Sequence, residues 1–216
     1  MIMRKHSILF SVVCLICALS AHGQTIYSCN GLYKIELPDK LELQDSELNN
    51  VKRIDVQGKK PQVNISTQSG HITFQQKGLN DNVKSAFSRY CRVIVEYFNE
   101  DRNEPTFGRG DQIVVDKDVL YFVNQAAEQS CKTSGTPLIK LMSVEAMTIN
   151  EFPVLYYSYK RKGWEGKQPP VIVNVFRIFN RYESVILTFS YREAERELWK
   201  DIHNNILKTF SYVRRY

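Results

Sequence analysis

The sequence predicts an α+β fold, a single antiparallel sheet flanked by helices, on three observations. Residues 138–148, 154–161, 171–179 and 185–189 are four successive runs of strand-forming residues separated by short links. Strands joined in that way form an antiparallel meander. Near the C-terminus Ala194, Leu198, Ile202 and Ile206 recur every four residues, flanked by Trp199 and Phe210. A helix with one such stripe has to bury it against a sheet. Asp116 is placed to cap a second helix reaching about Cys131, along which Val119, Val123, Ala126, Ala127 and Ser130 form a small-residue face suited to close packing.

From the start of the chain, residues 1–23 read as a cleavable signal peptide. Arg4 and Lys5 precede the uncharged apolar run 8–19, and Ala21 and Gly23 place small residues before a cut ahead of Gln24. The run is shorter than the ~18–20 apolar residues that span a bilayer. Residues 24–216 are expected to form one domain, exported to the periplasm or the extracellular space, with no later transmembrane segment. Its charge, 27 basic against 23 acidic residues, is mildly positive and lacks the strong basic bias of a nucleic-acid binder.

Within that domain residues 32–37 alternate as a strand, Pro38-Asp39-Lys40 signals a turn, and residues 40–44 are expected to return as a second strand. The polar stretch 46–68 shows no clear period. Residues 71–76 and 90–98 alternate again, and in the second run Cys91, Val93, Val95 and Tyr97 share a face. Residues 99–111 form a polar loop ending in Arg109-Gly110-Asp111, an integrin-type string short enough to arise by chance. Ser134-Gly135-Thr136-Pro137 ends the middle helix, and Ser190 with Glu193 spells a capping box that would open the last one.

Three cysteines follow the signal, and an odd number allows one bridge in three pairings. Strand parity puts Cys91 in the core as a thiol and favours a disulfide between Cys29 and Cys131, both at element ends.

Few residues point to chemistry. His71 and His203 are the only histidines after the signal, with no HExxH, no CxxC and no GxSxG elbow. No metal site or cofactor is expected, and Gly108-Arg109-Gly110 lacks the third glycine of a dinucleotide loop. Glu36, Asp39, Glu42, Asp45 and Glu47 cluster around the first turn, where paired carboxylates would suit a hydrolase and alternating ones an ordinary solvated face.

One segment stands out. Tyr156, Tyr157, Tyr159, Lys160, Arg161, Lys162, Trp164 and Lys167 concentrate rings and positive charge in a strand and the loop after it. Such residues are favoured at binding hot spots. Trp164, Arg161, Lys160, Lys162, Lys167 and Tyr159 are therefore the candidate binding residues. Gly163 and Gly166 would leave the ring mobile, and Pro169-Pro170 would stiffen the exit.

Several of these signatures occur together in one family. Residues 33–38 (YKIELP), the turn 148–153 (TINEFP), residues 187–191 (LTFSY) and the helix end 206–210 (ILKTF) make the chain similar to the PsbP-like group. The resemblance spans most of residues 32–212 and rests on scaffold features. It implies a PsbP-like α/β/α sandwich and binding or assembly roles without catalysis, and it assigns no functional residue. The expectation is a non-catalytic binding or assembly module of the bacterial cell envelope. Its partner would be another envelope protein or an anionic or carbohydrate surface. A carrier holding a small ligand between sheet and helix, or a carboxylate-dependent hydrolase, are the alternatives.

Overall fold

A computed structural model describes residues 24–48, 51–57, 60–67, 70–100 and 106–213. The expected signal peptide and its cleavage point lie outside the described residues.

The strands fall into two sheets, not one. The larger has seven strands, all antiparallel, in the order β3 (Leu41–Leu43), β6 (His71–Gln76), β7 (Cys91–Asn99), β11 (Glu183–Arg192), β10 (Val171–Phe179), β9 (Phe152–Arg161) and β8 (Leu138–Ile149). The meander read from the sequence is its second half. The smaller sheet runs β12 (Ser211–Tyr212), β2 (Tyr33–Pro38), β1 (Gln24–Cys29), β5 (Lys60–Ile65) and β4 (Val51–Gln57), with β1 and β5 parallel.

The error in the one-sheet expectation sits at Pro38. The chain does not fold back after the turn. Both edges of β2 are taken, by β1 and by the C-terminal β12, so β3 crosses to pair with β6 in the other sheet. Leu41 and Leu43 still face the core, because alternation sets the buried face and leaves the partner open. The unassigned stretch 46–68 holds the short helix α1 (Asp45–Leu48) at its start and then the β4–β5 hairpin.

The molecule has three layers. The small sheet and helix α3 (Arg196–Thr209) cover one face of the large sheet, enclosing a core that includes Tyr33, Phe74, Phe189, Trp199 and Phe210. Tyr27 meets Phe74 edge-on across the two sheets, with ring centroids 4.8 Å apart. Helix α2 (Lys117–Thr133) covers the other face, burying Val123, Ala127 and Cys131 over β9 and β10. Its cap is the expected one: Asp116 accepts from the backbone N–H groups of Asp118 and Val119.

Helix α3 starts differently. Ser190 is still in β11, buried, with its hydroxyl 3.2 Å from Tyr90 Oη. The chain enters α3 through a 3-10 turn (Glu193–Glu195), and Glu195 reaches forward to accept from Trp199 Nε1 at 3.0 Å. Ala194 is exposed, and the buried face is Trp199, Ile202, His203 and Ile206.

The expected Cys29–Cys131 bridge is absent. All three cysteines are buried free thiols. Cys29 lies in the core between the sheets and Cys131 under α2, so the large sheet separates them. Cys91 is in the core, as strand parity predicted.

Candidate functional site

The loop of the β9–β10 hairpin starts where Arg161 pairs with Val171. It is held rather than free. Lys162 N–H donates to Pro137 O at its base, and Pro170 O accepts from Glu193 N–H on the other side. Gly163 is buried, and a Cβ there would lie 2.3 Å from the Gln168 carbonyl oxygen, so the two sides of the loop touch at this glycine. The next residues form a 3-10 turn (Trp164–Gly166), closed by Gly166 N–H to Gly163 O and Lys167 N–H to Trp164 O. Gly163 is thus a close-approach glycine, whereas Gly166, at φ +69°, has open space where a Cβ would stand. Trp164, which opens this turn, is 66% exposed.

The six sequence-derived candidates separate by position. Trp164, Lys162 and Lys167 stand exposed at the tip, where Lys167 Nζ pairs with Glu165 at 3.2 Å. Lys160 and Arg161 are half-buried at the base. Lys160 pairs with Glu193 at 2.6 Å, and Arg161 donates to Tyr90 Oη at 3.3 Å. Tyr159 belongs to no surface: it is 3% exposed in the core under α2, and its hydroxyl lies 3.0 Å from Ser130 Oγ. Alternation along β9 sends Tyr157 and Tyr159 toward α2 and Tyr156 toward the main core. A cluster of tyrosines in sequence is therefore divided between two layers.

The fold adds a second segment that sequence reasoning missed. Residues 81–90 lead into β7, which starts at the same end of the large sheet, since Cys91 pairs with Tyr191 and Arg192 with Val171. A 3-10 turn (Lys84–Ser88) buries only Ala86 and exposes Val83, Lys84, Phe87 and Arg89. Phe87 is 56% exposed. Arg192 Nη1 donates to Ser88 O, and Arg161 reaches Tyr90, so β9 and β11 both brace this segment. Its only sequence signal was a phenylalanine in a polar, basic run with no period.

Other candidates have structural occupations. Glu42 accepts from the N–H groups of Gly78 and Asn80, closing the loop after β6. Arg109 pairs with Glu151, and Asp111 accepts from Gly108 N–H at 2.7 Å, so both charged ends of the Arg-Gly-Asp string are engaged. Among the described residues no group of three potential metal ligands occurs. Cys91 Sγ lies 3.6 Å from His203 Nε2, but in the core. Burial, with the Glu195 charge adding to it, pushes the thiol far above its ordinary range, and burial drives His203 down to about 3. Both groups are neutral at pH 7, so the imidazole is no source of thiolate.

An open notch of about 420 Å³ lies beside the end of α2, lined by Glu128, Cys131, Lys132 and residues 135–138. Between the layers, Trp199, Phe74, Phe189 and Phe210 are buried in one hydrophobic cluster.

No family model and no curated relative matches the chain. Solved structures do. A cyanobacterial PsbP (CyanoP) from Synechocystis superposes at a TM-score of 0.52 with 14% identity, over 88% of this chain and 93% of that one. The chain has a PsbP-like scaffold. A protein from Bacteroides thetaiotaomicron matches at a TM-score of 0.47 and 7% identity, and this chain spans 48% of its length. LpqN, involved in cell envelope biogenesis of Mycobacterium tuberculosis, matches at 0.36 and 12% over 83% of this chain and 82% of its own. Among the described residues no helix is long and apolar enough to cross a membrane.

Proposed function

We propose that the protein is an exported, non-catalytic binding module of the cell envelope that meets an anionic partner through the β9–β10 tip. The observation that carries this reading is Trp164: a large ring held out at 66% exposure on a loop whose base is fastened by backbone hydrogen bonds. A loop fastened at its base loses less conformational freedom on binding than a free one, so a ring it presents gives more of its contact area to affinity. Lys162 and Lys167 beside it supply attraction to negative charge. The filled interior favours this reading over a carrier, and the neutral, buried Cys91–His203 pair supports it over a thiol enzyme.

Affinity capture from the native envelope, with the parent chain and Trp164→Ala as baits, tests it. The parent should retain a partner that the variant loses. Equal retention by both would remove the tip from the binding surface.

A further inference from the structure

We propose that the partner of this end is the surface of an anionic lipid bilayer, on which Trp164, Phe87 and Val83 enter the headgroup layer; this rests on the contact-surface reading above. Three exposed apolar side chains stand at one end of the large sheet, on two loops that converge through Arg161–Tyr90 and Arg192–Ser88. Around them Lys84, Arg89, Lys132 and Lys162 are exposed and, among the described residues, make no ion pair. Against these stand Asp81, Glu128, Glu165 and Glu193, of which Glu165 is held by Lys167 and Glu193 by Lys160.

Apolar tips ringed by uncompensated cations suit an interface whose outer layer is negative and whose next layer is apolar. Tryptophan settles at that boundary because its ring is apolar and its N–H needs a wet acceptor. Each cation near such a surface strengthens binding about fivefold. A polysaccharide would be negative too, yet it offers Val83 and Phe87 no apolar layer to enter.

The far end of the sheet lacks this cationic surplus, since Arg181 and Lys117 there stand among acids and Arg109 is paired with Glu151. There Val114, Tyr121 and Phe122 are also exposed, but within the stretch 111–122, which carries Asp111, Asp116 and Asp118 against Lys117. An anionic surface would attract the tip more strongly than that end, so the charge distribution orients the molecule as well as holding it.

The test is co-sedimentation of the protein, purified from its native host, with phosphatidylcholine vesicles that contain either no phosphatidylglycerol or roughly a third of it. Binding should need the anionic lipid and fall steeply at about 0.5 M salt. Trp164 emission should shift to the blue, a response the buried Trp199 does not contribute. Lys84→Glu with Lys162→Glu, or Trp164→Ala with Phe87→Ala, should each weaken binding about tenfold or more with melting unchanged. Comparing variants separates the tip from anything residues 1–23 contribute.

Absence of binding to the anionic vesicles, or binding that neither double variant weakens, overturns the proposal. If Trp164-dependent capture from the envelope persists in that case, the contact surface stands and its partner is a protein or polysaccharide. If capture is also indifferent to Trp164, both readings fall together.

Discussion

The two tryptophans report on two regions built to different rules. Trp199 lies on α3 at 2% exposure, with its indole N–H satisfied by Glu195, whose other hydrogen bond ties down the N–H of Tyr90. Trp164 stands on the β9–β10 tip at 66% exposure. The first ring is part of the packing that joins small sheet, helix and large sheet. The second is presented by backbone hydrogen bonds and the Gly163–Gln168 contact, and its side chain adds nothing to them. Residue type does not distinguish the two. What surrounds each ring does, and one region can be altered without the other.

The largest effect should come from Trp199→Ala. It empties a fully packed site and leaves Glu195 with one hydrogen bond fewer, so it should cost ~3–5 kcal/mol in denaturant unfolding. A loss below about 1 kcal/mol would mean that α3 is not integral to the core.

Acid should weaken the same region. His203 stacks on Phe189 with centroids 4.4 Å apart, and its pKa falls from 6.5 to about 3 in the fold. The unfolded chain therefore takes up this proton below about pH 6.5 while the folded chain does not. Stability is full above that pH and is lost as pH falls toward 3, by up to ~1.4 kcal/mol per pH unit. Glu100 acts in the same direction at lower pH. Burial raises its pKa, but hydrogen bonds from Ser184 and Arg177 outweigh burial and hold it below 4.5. The window between pH 6.5 and 5 thus separates His203 from Glu100. His203→Phe should flatten the slope there, and an unchanged slope would place the titrating group elsewhere.

At the tip, Gly163→Ala drives a methyl group into the Gln168 backbone and should cost ~1–3 kcal/mol while opening the loop. Trp164→Ala, the smallest effect, should change stability by no more than about 0.5 kcal/mol. A melting temperature far below the parent's would make the exposed indole architectural and erase the contrast between the two regions.

Local pattern carried much of the site into view. The clustering of Lys160 through Lys167 around Trp164 marked the tip, because a hairpin turn needs no tryptophan. Tyr159 was misread because its neighbours in sequence are cationic, whereas its pleat direction points under α2. Phe87 and Arg89 escaped because they lie about 75 residues from the tip with no period of their own. They join it only because β7 and β9 start and finish at one end of the sheet. One signal was available and unused: Asn30-Gly31, both at positive φ, turns β1 into β2 and announces a hairpin that the sequence reading did not include.

The sequence by itself determined what depends on neighbours a few residues away. The alternating faces of β7, β9, β10 and β11, the Asp116 cap and the burial of Cys91 all follow from side-chain period and short-range hydrogen bonding. Only the tertiary structure decided which strands share a sheet, where Ser190 ends up and whether Cys29 can reach Cys131. Those outcomes turn on pairings between distant segments, such as the two-residue β12 closing the edge of β2 some 180 residues away. A strand's own pattern specifies the face it buries; the edge it pairs with is settled by whichever partner arrives to satisfy its backbone groups.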